Sequence, residues 1–484
     1  MTKELRRLSF VVLAMFLSLF VASSWIQVVD ADNLAENPAN TRTRLDSYQI
    51  QRGSILVGGS AIATSVPTDD KYQYQRVYKD AAMWAPVTGY FNPALQSSTG
   101  IEHALNSELS GTSNNSLVSE IERIVSGQPQ QGLSVQLTLN AKAQRAAWDA
   151  LQGLQGAVVA IEPATGRILA MASTPGFDTN KLAAHDPTAV NAEHDALVAD
   201  PTKPLYNRAI AGNLNPPGST FKLVVASAAL ESGDYTMEST LPNPATYTPP
   251  GTSSPISNAW RGTCGPGETT TIAEAITRSC NIPMAELAVE LGDEAILKAA
   301  EKYGFNTEFE IPLKATPSKY PEDLGDAQTA LTGFGQGRVI ATPLQMAMVS
   351  AGIANDGAVM KPRMVDAVIA DDFAPWQKYT DEAFEQSLSA EQADALTDAM
   401  VKGVSSGAAT GARIDGVDVA GKTGTAQIED KPHTLWFTGF APAENPKVAV
   451  AVVVEDGGGR GQSGSGNGIA APIAKKVIEA VLGR

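Results

Sequence analysis

Histidine is scarce in this chain. Four are scattered over 484 residues (His103, His185, His194, His433), with no His-Glu-x-x-His among them, so no metal centre is expected. Positive charge is also short: 36 Lys and Arg stand against 52 Asp and Glu, a net charge of −16. No basic stripe is present, which excludes nucleic acid as an expected partner. Long apolar runs are missing except for one. Residues 8–29 carry no charge and are long enough to span a bilayer. Lys3, Arg6 and Arg7 precede it and orient the N-terminus toward the cytoplasm. A cleaved signal would have a shorter apolar core and a small-x-small site, of which Val29-Asp30-Ala31 is a poor version. We therefore expect a cytoplasmic tail over 1–7, a single transmembrane anchor over 8–29, and a remainder that works outside the cytoplasm at the cell membrane. Cysteine is limited to Cys264 and Cys280, sixteen positions apart. In an exported chain such a pair is expected to close a loop as a disulfide, the alternative being two buried thiols.

What is present is globular: 43% hydrophobic and 18% charged, with length for two or three domains. Residues 30–134 are polar and mixed, a membrane-proximal module without visible chemistry. Within it Arg52-Gly53-Ser54-Ile55-Leu56 reads as the start of a strand, and 101–109 as a short helix. The stretches 111–116 and 127–132 have loop composition. A second domain, 135–484, begins at Val135-Gln136-Leu137-Thr138-Leu139, with a helix predicted over 141–154. Residues 156–161 and 167–172 read as strands about the turn Glu162-Pro163-Ala164-Thr165-Gly166. Residues 185–204 read as a loop-rich insertion, and helical patterns dominate 271–300. Strands are predicted over 416–428, 434–441 and 447–455, the last continuously apolar as a central strand would be, and a closing helix over 468–482. An early hairpin, a helical middle and late strands describe one sheet completed by both ends of a domain. The acidic stretch 381–398 reads as a solvated helix face with its surroundings, and Trp436-Phe437-Thr438-Gly439-Phe440 as core.

Three short patterns carry chemistry. Pro216-Pro217-Gly218 cannot sit inside a helix but commonly leads into one, and 223–230 reads as a buried helix. Ser219 then falls at or near a helix N-terminus, with Lys222 one turn above it on the same face. A hydroxyl and an amine held together beside a positive helix end is a way to activate a serine. Alone the pattern is weak, since a Ser-x-x-Lys is expected about once by chance at this length, and a serine cap with a solvated lysine fits it too. The second pattern is Ser279-Cys280-Asn281, after a helical 272–277, for which helix capping is the bland reading. Ser113-x-Asn115 and Ser465-x-Asn467 match the same pattern but lie in glycine- and asparagine-rich loops. The third is Lys422-Thr423-Gly424-Thr425 on a late strand; a Lys-Thr-Gly triplet is expected by chance about one time in ten. Gly416-Val417-Asp418-Val419-Ala420-Gly421-Lys422-Thr423 also matches a phosphate-loop pattern. A phosphate loop runs from strand into helix, whereas Gly424-Thr425-Ala426-Gln427-Ile428 continues as strand.

The three patterns, in this order and context, resemble the penicillin-binding protein and serine β-lactamase superfamily. The resemblance is greatest to class B penicillin-binding proteins of the short actinobacterial type. Arg52-Gly53-Ser54-Ile55, Leu137-Thr138-Leu139 with Gln144, Ala160-Ile161-Glu162-Pro163-Ala164-Thr165-Gly166, Tyr206-Asn207-Arg208-Ala209 and Gly335-Gln336-Gly337 are similar to family stretches. The N-terminal module lacks the long extension of many class B members, and a cysteine inside the second motif is not general to the family.

The resemblance implies an α/β (α+β) transpeptidase fold: a five-stranded antiparallel sheet flanked by helices, plus an all-helical subdomain. It implies a peptidoglycan D,D-transpeptidase that cross-links stem peptides through a serine acyl-enzyme, in septation, and that β-lactams acylate. Ser219 is expected as nucleophile and Lys222 as base, its neutral form favoured by burial and by Lys422. Ser279 is expected to relay the proton and Asn281 to bind the substrate amide. Lys422, with Thr423 or Thr425, is expected to bind the terminal carboxylate, and Gly424 to leave room for substrate against the strand. Backbone N–H groups of Ser219 and Thr425 are expected to form the oxyanion hole. No metal or organic cofactor is implied. The partner implied is a glycosyltransferase of the septal machinery, since no such module precedes the catalytic region. A D,D-carboxypeptidase or β-lactamase would use water as acceptor, and no deacylating base for the latter is identifiable. A catalytically idle divisome scaffold is the reading from another class. A sensor would be expected to carry a cytoplasmic signalling domain, and only seven residues precede the apolar run.

Overall fold

The computed structural model describes residues 2–30, 34, 49–112, 131–212, 214–370, 375–427 and 431–484. The loop stretches read at 111–116 and 127–132 fall largely outside them. The N-terminal helix Thr2–Ser24 continues into a π-helical turn, Trp25–Val29, and its apolar side chains are exposed. Residues 3–29 form a helix long and apolar enough to cross a membrane.

The central sheet has five strands in the order Ala420–Ala426, Thr434–Ala441, Val448–Val454, Gly156–Ile161, Ile168–Thr174, every neighbour antiparallel. Early and late chain segments therefore close one sheet, as the sequence predicts. Val448–Val454 is buried along its whole length, and its two faces differ because side chains alternate along a strand. Val448, Val450, Val452 and Val454 pack with the helices Ala141–Ala150 and Ala470–Leu482. Ala449, Ala451 and Val453 face the other core, where they lie against the buried helix Pro343–Ala354. Beyond that helix lies the all-helical region, which includes Lys222–Ser232, Ile272–Arg278, Ile282–Leu291, Asp293–Lys302 and Ala390–Ser405.

A second sheet of six strands collects distant parts of the chain. Its order is Pro375–Lys378, Val365–Ile369, Ser134–Leu137, Ile55–Val57, Ser60–Pro67, Tyr74–Tyr78. Ser134–Leu137 runs parallel to Ile55–Val57 and antiparallel to Val365–Ile369. Beneath this sheet Glu102 is held by two arginines: Arg52 Nη2 reaches Oε2 at 2.9 Å and Arg76 Nε reaches Oε1 at 2.5 Å. The Tyr78 hydroxyl donates to the same carboxylate at 3.1 Å, and the Arg52 guanidinium lies 3.9 Å over the Phe91 ring.

Three local expectations need correction. Residues 185–204 contain a helix, Pro187–Ala199, started by Pro187 and by the Asp186 side chain, which accepts from the N–H groups of Thr188 and Ala189. The acidic stretch 381–398 is not one helix face. Ala383–Gln386 pairs as a strand with Ala358–Met360, and Ser389 then opens the helix Ala390–Ser405 through a capping box with Gln392. The helix expected over 101–109 is two short ones, Gly100–Ala104 and Asn106–Leu109, broken at Leu105.

Candidate active site

Pro216 and Pro217 deliver the chain to Gly218, whose φ of 55° turns it sharply and whose N–H donates to the Gly335 carbonyl at 2.9 Å. A single 3₁₀ turn, Gly218–Phe221, follows, and the α-helix begins only at Lys222. Ser219 sits on that turn, half-buried, while Lys222 and the next eight residues are buried.

The helix Ile272–Arg278 is capped by Thr271 and ended by Ser279, a non-glycine residue at φ 66°, ψ 40°. This left-handed backbone reverses the chain and aims the Ser279 hydroxyl back toward the first helix. Asn281 stands at the N-cap position of Ile282–Leu291 but does not cap with its side chain. Its Oδ1 accepts from Lys222 Nζ at 2.8 Å and its Nδ2 donates to the Ser257 carbonyl at 3.1 Å. The cap is supplied by Asn258, whose Oδ1 accepts from the N–H groups of Asn281 (2.6 Å) and Ile282 (3.2 Å).

The third motif lies on the edge strand Ala420–Ala426. Lys422 Nζ donates to Ser279 Oγ at 2.6 Å and to the Thr423 carbonyl at 2.9 Å. Lys222 Nζ stands 3.4 Å from the same hydroxyl and donates to the Ser279 carbonyl at 2.7 Å. Both lysine nitrogens thus converge on Ser279. Thr423 and Thr425 differ: the Thr423 hydroxyl is spent on the Ala408 carbonyl at 3.0 Å, while half-buried Thr425 accepts from the Gly466 N–H at 3.3 Å. The Thr425 backbone passes Gly218 so closely that a Cβ there would lie 3.2 Å from its nitrogen. The structure adds a reason for glycine at 424 beside the room for substrate read from the sequence. A Cβ on Gly424 would meet the Pro217 carbonyl at 2.7 Å and Trp436 Cβ at 3.1 Å, so the crowding comes from the protein itself.

Electrostatics follow from burial. Lys222 is 0% and Lys422 2% exposed, and among the described residues neither is paired with a carboxylate. Burial, then the nearby charge of Lys422, drives the Lys222 pKa well below the ordinary lysine value. Burial alone lowers Lys422 to about 7. A neutral amine has two N–H donors and one lone pair. The Ser279 carbonyl and Asn281 Oδ1 take both donors of Lys222, which leaves its lone pair for a proton from a serine hydroxyl. Among the described residues no hydrogen bond joins Ser219 Oγ to Lys222 or Ser279; catalytic contacts are often long before substrate arrives.

The structure therefore brings Lys222, Ser279, Asn281 and Lys422 into direct contact, with Ser219 and Thr425 alongside. Cys264 and Cys280 are joined as a disulfide with 5.7 Å between their Cα atoms. No group of three or more His, Cys, Asp or Glu able to hold a metal is found among the described residues. Sequence reasoning missed Asn258, for which no local pattern exists: its partners lie 23 and 24 positions away.

The family described as "Penicillin binding protein transpeptidase domain" matches residues 156–479, and "Penicillin binding protein A dimerisation domain" matches 52–135. The chain is 39% identical over 492 residues to the peptidoglycan D,D-transpeptidase PbpA of Mycolicibacterium smegmatis, covering 100% of this chain and 99% of that one. It is 37% identical over 496 residues to the protein of the same name from Mycobacterium tuberculosis, with the same coverage. Its structure is similar to penicillin-binding protein A from M. tuberculosis as a ceftriaxone acyl-enzyme, with a TM-score of 0.86 and 37% identity over 90% of this chain and 100% of the other. The penicillin G acyl-enzyme of that protein gives a TM-score of 0.84 at 36% identity, with the same coverage.

Proposed function

The chain belongs to the class B penicillin-binding protein family of transpeptidases, and from that premise we propose how its own residues act as a serine D,D-transpeptidase of peptidoglycan. Ser219 Oγ bonds to the carbonyl carbon of the penultimate D-alanine in a donor stem peptide, and its proton passes to the Lys222 lone pair. The D-alanyl-D-alanine C–N bond then breaks, and the departing amine takes the proton from Lys222 through Ser279. An amine of an acceptor strand attacks the resulting ester and gives its proton back along the same path. The new cross-link leaves, and the Ser219 hydroxyl is restored. Lys422 and the Thr425 hydroxyl take the terminal carboxylate. Thr423 is assigned no contact with substrate, because its hydroxyl is already engaged. Backbone N–H groups of Ser219 and Thr425 stabilise the oxyanion. A β-lactam acylates Ser219 in the same way, but its amine stays tethered after ring opening and blocks the acceptor.

The observation that carries this reading is the convergence on Ser279 of two buried lysines, neither paired with a carboxylate among the described residues, one of them a single turn from Ser219. The apolar helix and the relatives support membrane anchoring. We place the catalytic region outside the cytoplasm, where stem peptides are found, and infer a septal role beside a glycosyltransferase that makes the glycan strands. Intact mass of the detergent-solubilised chain after brief exposure to benzylpenicillin tests the mechanism. A single one-ligand adduct, absent in Ser219→Ala, is expected. An adduct that survives in Ser219→Ala would overturn the assignment of the nucleophile.

A further inference from the structure

The loop 243–268 leaves the strand Thr240–Pro242 and returns in Thr269–Thr271, its antiparallel partner. Buried Asn243 closes the neck: its N–H donates to the Glu268 carbonyl and its Nδ2 to the Gly267 carbonyl, each at 3.0 Å. The far part of the loop reaches the catalytic cluster. Asn258 is 1% exposed, and its side chain bridges two segments. Oδ1 accepts from Asn281 and Ile282, while Nδ2 donates to the Gly262 carbonyl at 2.8 Å. The preceding carbonyl, of Ser257, accepts from Asn281 Nδ2. That bond decides which way the Asn281 amide faces. With Nδ2 spent on a carbonyl, Oδ1 must point at Lys222 Nζ. Two residues beyond Gly262, Cys264 is bonded to Cys280, which stands between Ser279 and Asn281. The cross-link thus ties the loop to the same three-residue segment that its asparagine holds.

We propose that Asn258 is a positioning residue that sets the orientation of Asn281 toward Lys222, and that the Cys264–Cys280 disulfide serves the reaction by fixing Asn258 in place. The inference rests on the reading above, in which Lys222 is the base for Ser219. Tyr247 and Ile256 pair across the middle of the loop, and a cross-link near the docking point removes further conformations that the segment around Asn258 would otherwise lose on docking. Orientation matters because Asn281 Oδ1 occupies one of the two N–H donors of neutral Lys222. Without it the lone pair no longer has a fixed direction.

The test is the rate of benzylpenicillin acylation of the full-length protein in detergent, followed by intact mass across pH and compared with thermal unfolding. Asn258→Ala is expected to acylate about 10-fold more slowly, the effect of losing one aligned hydrogen-bond network. Its acid limb is expected to move to lower pH, because a lost acceptor no longer favours the charged lysine. Asn258→Asp keeps the accepting oxygen and is expected to recover most of the rate on the alkaline side of the limb. Cys264→Ala leaves both asparagines in place and is expected to slow acylation about 3-fold, with the limb displaced in the same direction; it carries the test if Asn258→Ala does not fold. A slower Asn258→Ala with an unmoved limb and a lowered melting temperature would reduce Asn258 to a plain helix cap and overturn the proposal, as would wild-type rates in both variants. Wild-type protein that forms no Ser219 adduct would instead overturn the underlying reading, and the proposal with it.

Discussion

Beneath the six-stranded sheet Glu102 lies fully buried between Arg52 and Arg76; in the candidate site Lys222 and Lys422 lie as deeply buried around Ser279. Both regions take ionisable groups out of water, which is costly. In the first, opposite charges sit within hydrogen-bonding distance. Burial pushes the Glu102 carboxyl up, but attraction and hydrogen bonds from Arg76 and Arg52 outweigh it and hold the group below its ordinary value. The charge is kept and the cluster is structural. In the second, no carboxylate among the described residues pairs with either lysine, so the lysines shed proton affinity instead. Depth of burial does not separate a structural cluster from a reactive one. The presence or absence of a counter-charge does.

That contrast can be broken by exchanging what each cluster depends on. Lys222→Met removes the base proposed above while filling the same space. Acylation by benzylpenicillin should fall by about 10²–10⁴-fold, while the melting temperature holds or rises because no amine is left to desolvate. Glu102→Gln should do the reverse. Two buried arginines lose their counter-charge, unfolding free energy in denaturant should drop by about 3–5 kcal/mol, and acylation per folded molecule should be unchanged. A drop in both would mean that the N-terminal cluster supports the cleft. Gly424→Ala should fall between them: its Cβ would press on the Pro217 carbonyl, so a loss of about 1–3 kcal/mol is expected with slower acylation, since Pro217 leads directly to Ser219. The last effect is on pH. Lys422 titrates near 7 when folded and near 10.5 when unfolded. Between those values the unfolded chain binds more protons, so stability should climb as pH rises from about 7. The climb should be shallower in Lys422→Met, and equal slopes would show that Lys422 keeps its proton in the fold.

Much of this was legible because the chemistry is carried by contiguous residues. Ser219 and Lys222 share one turn, Ser279 and Asn281 one bend, and Lys422 to Thr425 one strand, so spacing suggested which groups meet within each motif, and the family resemblance suggested that the three motifs meet. The sheet was legible for a similar reason: Val448–Val454 is apolar throughout because both its faces are covered. What the sequence hid depends on distant partners. Arg52 finds Glu102 fifty positions away, and Asn258 finds Asn281 across a loop with no pattern to mark it. The helix Pro187–Ala199 was hidden by its start, where a proline and an aspartate read as loop composition until seen as a first turn and its cap. At Gly424 the crowding by Pro217 and Trp436 was hidden, because a residue string does not tell which face of a strand the neighbouring turn will crowd.

The six-stranded sheet bears on how this protein can change over generations. Its strands come from 55–78, from 134–137 and from 365–378, the last lying deep within the transpeptidase segment. A recombination event that exchanged the N-terminal portion near residue 135 for that of a distant relative would leave Val365–Ile369 facing a foreign neighbour. Its register against Ser134–Leu137 would have to be rediscovered by mutation. The two portions are therefore expected to be inherited together, with lineages diverging by point substitution more readily than by shuffling.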